Sequence, residues 1–248
     1  KQRNPKPGLE TVKKAFLHVP IKVYKEWPFF SIVICSRNGS LTIRECLEGI
    51  MKLSYPFFEV IVINDGSTDA TPDIAAEFDV KLISTPNQGL SAARNLGALE
   101  AKGEIISYID DDAIPDPDWL LYLASSFYHT SYAAVGGPNI APNEVSFIAD
   151  CVDHSPGSPS HVLFTDMEAE HIPGCNFSIR KAALNNLGGF DPQFRAAGDD
   201  VDLCWRIVDA GLTIGCNPGA MVFHHRRRTI RSYWKQQFGY GKAEALLE

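Results

Sequence analysis

From Phe29 onward, short β-branched runs alternate with amphipathic stretches. Phe30-Ser-Ile-Val-Ile-Cys35 predicts a strand, and Leu41 to Lys52 a helix with Ser40 at its N-cap. Phe58 to Ile63 predicts a second strand. Thr71-Pro72 opens a helix, with Thr as N-cap and Pro at the first position. Val80 to Ser84 is a third strand, Leu90 to Ala101 a helix closed by Gly103, and Ile105 to Ile109 a fourth strand. Strands alternating with helices across short loops predict an α/β fold with a mostly parallel, helix-covered sheet.

After Pro117 the pattern loosens. Trp119 to Phe127 predicts a helix, Ala133 to Gly137 a short strand, and Asn176 to Ile179 a strand followed by a helix from Lys181. Val201 to Ala210 predicts a helix ended by Gly211, and Thr213 to Cys216 and Met221 to Phe223 short strands. Asn139 to His171 shows no period, and a loop that long in a compact domain is usually functional or mobile. Residues 1–28 are Pro- and Lys-rich and predict an arm ahead of one domain over 29–248, with a regularly alternating half to about 115 and a less regular half beyond. The last residues keep a helical pattern with no stop signal, so the chain reads as part of a longer protein.

Composition removes several function classes. The net charge of −7 argues against nucleic acid as a partner. No apolar run is long enough to span a membrane, so any membrane association is expected through parts of a longer protein. Six cysteines contain no C-x-x-C pair, which fits reduced thiols in a cytoplasmic setting rather than disulfides or zinc. No G-x-G-x-x-G follows the first strand, and there is no Walker A motif.

The chemistry gathers after strands. Asp110-Asp111-Asp112 ends the fourth strand, where carboxylates repel one another unless a cation sits among them. Open α/β sheets bind ligands at that edge, so Asp110-x-Asp112 is a candidate divalent-metal and phosphate site. An acidic solvated turn is the simpler alternative. Asn64-Asp65-Gly66-Ser67 follows the second strand, and Asn87-Gln88-Gly89 leads through Arg94 after the third. Asp199-Asp200 precedes a helix that it could merely cap. His224 follows a late strand and could be a core histidine, and Arg226-Arg227-Arg228 with Arg231 is either a solvated helix start or a counter-charge for phosphate.

In this order, these motifs resemble the family 2 glycosyltransferases of the GT-A fold, over about Phe29 to Gly241. The resemblance implies a GT-A sheet with a smaller mixed acceptor-side sheet, and an inverting transferase using a nucleotide-diphosphate sugar, most readily a UDP-sugar, with Mn²⁺ or Mg²⁺. It implies nucleotide binding by Ser36, Arg37, Asp65, Asn87, Gly89, Arg94, Asp110 and Asp111. Cys35 and Arg37 depart from the family's Pro and Tyr, and Arg37 would have to stack on the base through its guanidinium. The resemblance gives the metal to Asp112 and His224, the acceptor side to Gly174 and Asn176, and the general base to Asp200, with Asp199 replacing the usual Glu before it. The acceptor would be a glycan, a lipid-linked saccharide or another hydroxyl compound. Trp234-Lys-Gln-Gln-Phe-Gly-Tyr-Gly241 also resembles members of this family, and the Gln-x-x-Arg-Trp motif of processive synthases is missing.

A haloacid-dehalogenase-type phosphatase also carries Asp-x-Asp after a strand. It needs Thr or Val two residues after the second Asp, where Ile114 stands here. A non-catalytic sugar-nucleotide or glycan-binding module is the other alternative.

Overall fold

The computed structural model describes residues 21–142, 146–155 and 161–247. In chain order its strands are β1 (Phe30–Ser36), β2 (Phe58–Asp65), β3 (Lys81–Thr85), β4 (Ile105–Ile109), β5 (Ala113–Pro115) and β6 (Ala134–Gly136). They continue as β7 (Asn139–Ile140), β8 (Val162–Leu163), β9 (Glu168–His171), β10 (Asn176–Arg180), β11 (Ile214–Cys216) and β12 (Val222–His224). The helices are α1 (Ile43–Ile50), α2 (Thr71–Ala75), α3 (Leu90–Glu100), α4 (Trp119–His129), α5 (Phe147–Asp153), α6 (Lys181–Asn186), α7 (Asp199–Asp209) and α8 (Ile230–Leu247).

One nine-stranded sheet runs β3-β2-β1-β4-β10-β6-β11-β9-β8. Its first four strands are parallel, as predicted. Beyond them β10 lies antiparallel to both β4 and β6, so the sheet as a whole is mixed. The continuous apolar runs of β1 and β2 follow from burial on both faces. Ile32, Ile34, Val60 and Val62 join the core under α1, while Val33, Ile61 and Ile63 face the second core with Ala93 and Ala98 of α3. This is the two-residue alternation of a strand sorting side chains between layers. A second sheet, β5-β12-β7, is mixed, with β12 antiparallel to β5 and parallel to β7.

Several sequence expectations shift. Of the predicted arm, residues 1–20 lie outside the described residues, while Trp27 is buried in the core and stacks near Tyr55, so the folded unit starts before Phe29. Ser40 does not cap α1; Thr42 stands at that N-cap and makes no side-chain cap bond. Nor does Thr71 cap α2. It lies within the helix, and the stronger acceptor Asp69 takes both its N–H at 3.1 Å and its hydroxyl at 2.5 Å. The span 139–171 contains β7, α5, β8 and β9 rather than loop alone. Helix α7 begins at Asp199, two residues earlier than predicted, after Gly198 in the left-handed region. Among the described residues no helix is long and apolar enough to cross a membrane.

Candidate active site

Strand β4 is buried along its length, and the chain leaves it at Asp110 on the C-terminal edge of the parallel strands. It then enters β5, whose register with β12 sets Ala113 opposite His224. His224 Nε2 thereby lies 3.1 Å from Asp112 Oδ1 and 3.7 Å from Asp110 Oδ2. Strand β10 pairs Asn176 with Ile109, which brings the preceding Cys175 to the same place. Asp110, Cys175 and His224 offer ligand atoms within 4.8 Å of one another.

These groups differ in charge state. Burial would raise Asp112, but His224, and Arg227 at 3.2 Å from Oδ2, hold it at about 2. Asp111 turns away to accept a hydrogen bond from the Ser36 hydroxyl. Burial and the charge of Asp112 push its carboxyl up to about 7. Burial disfavours a charged His224, whereas Asp112 and Asp110 favour one, up to about 9. Arg226 Nη1 stands 3.2 Å from His224 Nδ1 and can only donate, so a charged ring would set donor against donor. That contact supports the neutral ring with its proton on Nε2, toward Asp112. Burial and the nearby carboxylates raise the Cys175 thiol well above its ordinary value, so it stays protonated.

The loop after β3 is built on Asp65. Its carboxylate accepts the N–H of Gln88 at 2.6 Å, the N–H of Gly89 at 2.9 Å and the Asn87 amide at 2.8 Å. Gly89 has φ +99°, and a Cβ there would lie 3.0 Å from the Arg195 side chain, so only glycine suits the position. Arg37 is exposed, one residue past the end of β1.

Arg94, projecting from α3, is buried between two carboxylates. Nη1 reaches Asp199 Oδ2 at 2.6 Å and Nη2 lies 3.5 Å from Asp110 Oδ1. Its guanidinium also lies 5.8 Å from the Tyr108 ring centroid and 5.4 Å from that of Phe190. Burial pushes Asp199 up to about 6, against the pull of Arg94. Asp200, one residue on, is partly open. It accepts the Gly174 N–H at 2.8 Å, and His171 Nε2 stands 3.7 Å away. Burial would raise Asp200, but His171, Arg94 and the Gly174 N–H hold it at about 2. His171 Nε2 is itself buried without a hydrogen-bond partner.

Three residues stand differently from the sequence reading. Arg94 is not open over a nucleotide; its charge is committed to Asp199 and Asp110. Asn176 is fully buried, taking the Trp119 indole N–H at 2.8 Å and donating to the carbonyls of Pro138 and Ala220. It has no amide atom left for an acceptor. Gly174 serves Asp200 through its N–H and makes room for Arg94, which a Cβ would meet at 2.4 Å. Of the arginine cluster, Arg226 is buried on Asp153 at 2.7 Å, and Arg227 is the one that faces Asp112. The resemblance placed Cys175 only within the acceptor-side stretch Gly174-Cys175-Asn176, not beside Asp110 and His224, and His171 was not nominated at all, since a single Cys and a His within an aperiodic span carry no spacing signal.

Residues 31–188 match the family described as Glycosyl transferase family 2. The chain belongs to that family. Among its curated relatives, the probable glycosyltransferase YdaM of Bacillus subtilis is 30% identical over 90% of this chain and 57% of its own length. The chain spans about half the length of the first curated relatives it matches. The mannosyltransferase PcManGT of Pyrobaculum calidifontis, solved with GDP-Man and Mn²⁺, superposes with TM-score 0.68 at 21% identity over 96% of this chain and 72% of its own. Staphylococcus aureus TarS, solved with UDP-GlcNAc, gives 0.64 at 18% identity over 81% of this chain and 59% of its own. This family 2 chain therefore has the GT-A fold of those neighbours. Family membership also removes the phosphatase alternative.

Proposed function

We propose that this chain is the catalytic domain of an inverting glycosyltransferase that moves a sugar from a nucleotide-diphosphate sugar, a UDP-sugar by preference, to a hydroxyl of a glycan, a lipid-linked saccharide or a similar acceptor. The observation that carries this reading is the pairing of two acidic clusters across the sheet edge. Asp110 and Asp112 meet His224 in one cluster, and in the other Asp200, partly open, is held by the Gly174 and Val201 N–H groups, with Arg94 reaching both clusters through Asp110 and Asp199.

The donor set fits a divalent ion. Asp112 and Asp110 bring hard oxygens beside the His224 imidazole, a mixed oxygen and nitrogen set that suits Mn²⁺ or Mg²⁺. Mn²⁺ or Mg²⁺ held by Asp112 and His224, with Asp110 beside them, would supply charge stabilisation to the departing diphosphate. The remaining work falls to the protein. Asp65 fixes the Asn87–Gly89 loop, which with Arg37 and Ser36 forms the cradle for the nucleoside. Asp200, aimed by the Gly174 N–H, takes the proton of the attacking hydroxyl. Asp199 and Arg94 hold the first turn of α7, and hence Asp200, in place.

A second reading, a module that binds sugar nucleotides without transfer, is favoured by one observation. Asp200 is held at about 2, which makes it a weak proton acceptor at rest. Calorimetry with UDP, GDP, dTDP and CDP, with Mn²⁺ or with EDTA, followed by transfer assays on the sugar nucleotides of the tightest binder, separates these readings. UDP is expected to bind tighter with Mn²⁺, with the gain lost in Asp112→Asn. Equal affinity with Mn²⁺ and with EDTA overturns the metal assignment, and donor binding without transfer to any acceptor favours the second reading.

A further inference from the structure

Helix α8 turns an apolar face to solvent. Ile230, Trp234 and Phe238 are 71%, 71% and 60% exposed. Their spacing of four places them along one side of the helix, where with Arg231 and Lys235 they line one surface hollow. The opposite side meets the protein: Ala243 is buried and packs near Gly198 at the start of α7. Tyr240 feels the charges of Asp200 and Asp110. A helix facing water is normally polar on its outer face, so this one is inverted.

Cations edge the apolar stripe. Arg231, Lys235 and Lys242 follow the same flank, and Lys242 Nζ lies 4.7 Å from the Phe238 ring centroid. Within the described helix the sole acid, Glu244, falls off this flank. On a chain of net charge −7 this is a local reversal of sign.

We propose that α8 lies in the plane of an anionic lipid membrane, with Ile230, Trp234 and Phe238 inserted at the headgroup boundary and Arg231, Lys235 and Lys242 on the lipid phosphates. Apolar insertion joined to a basic edge is the chemistry of an interfacial helix, and tryptophan favours that depth. A second copy of this chain is the weaker occupant, because a symmetric contact sets the same cations against each other. The helix is about 27 Å long at about 1.5 Å per residue, yet too polar to span, so it fits along the surface. The acidic clusters lie toward its other side, where Ala243 meets Gly198 and Tyr240 feels Asp200 and Asp110. An acceptor hydroxyl carried on a lipid would meet Asp200 there, a consequence that rests on the proposed transferase reading while the membrane contact does not.

Flotation with phosphatidylcholine vesicles, with and without phosphatidylglycerol, tests this on the whole chain. Binding is expected only to the anionic vesicles, with a blue shift of tryptophan emission and weakening by salt. Trp234→Ser with Phe238→Ser should abolish binding, and Arg231→Gln with Lys235→Gln should weaken it about thirtyfold. Both variants should melt and bind UDP as the parent does, because the altered side chains are exposed. No vesicle binding, equal binding to both vesicle types, or a solution dimer abolished by the serine pair overturns the proposal.

Discussion

Asp199 and Asp200 share the first turn of α7, yet Arg94 claims the first and Gly174 the second. Asp200→Asn is expected to melt within a few degrees of the parent and to bind UDP–Mn²⁺ normally, because the amide oxygen keeps the hydrogen bond from Gly174 and only the bond from the adjacent Val201 N–H is lost. It should lose about 100-fold or more in transfer, measured as turnover, because it cannot take the proton. Turnover near the parent rate would make Asp200 structural. Arg94 behaves differently. Arg94→Met strands Asp199 as a buried, unpaired charge, at a cost of about 3–5 kcal/mol. The double variant Arg94→Met with Asp199→Leu should recover much of that loss in urea unfolding, since it buries no charge at all. A double variant no more stable than the single one would show that the ion pair is not what holds α7.

At the scale of elements, the loop after β3 depends on one backbone conformation. Gly89→Ala places a Cβ at positive φ against Arg195, costing about 1–3 kcal/mol. Nucleoside affinity, measured by calorimetry, is expected to fall further than the melting point, because the Asp65 bonds to Gln88 and Gly89 shape the cradle. Equal losses in both would separate the loop from binding. Strands β1, β2 and β4 were legible in the sequence because burial on both faces writes an unbroken β-branched run. Strands β5, β7 and β8 were not, since they are two or three residues long and their pairing is set by β12 and β9; β6, β11 and β12 are as short but sit in small apolar runs that mark them. Asp110, Asp112 and His224 could be nominated from strand ends. Nothing local in the sequence connects Arg94 to Asp199, whose contact is made only when α3 and α7 pack. Asn176 misled for the same reason: an amide beside a motif looks available until Trp119, Pro138 and Ala220 are seen to use it.

For the whole molecule, the proposed metal site predicts a stability that depends on cations. Mn²⁺ at about a hundred times its dissociation constant should add about 2.7 kcal/mol. In a domain of this size that raises the melting temperature by several degrees. Asp112→Asn should remove the rise, and a rise that survives it would place the ion elsewhere. The strand order has a consequence of another kind. Strand β4 ends at Ile109, and its outer neighbour β10 begins at Asn176, in the other half of the chain. Severed near Pro117, the N-terminal half would present the five residues of β4, apolar but for Ser107 and buried in the whole chain, as an edge with its amides unpaired, a template for aggregation. A fragment of residues 21–117 is expected to scatter light and sediment, whereas the same segment made together with residues 118–247 should assemble around β10. The two halves are thus each other's chaperones: the chain can be split for study only if both pieces are born together.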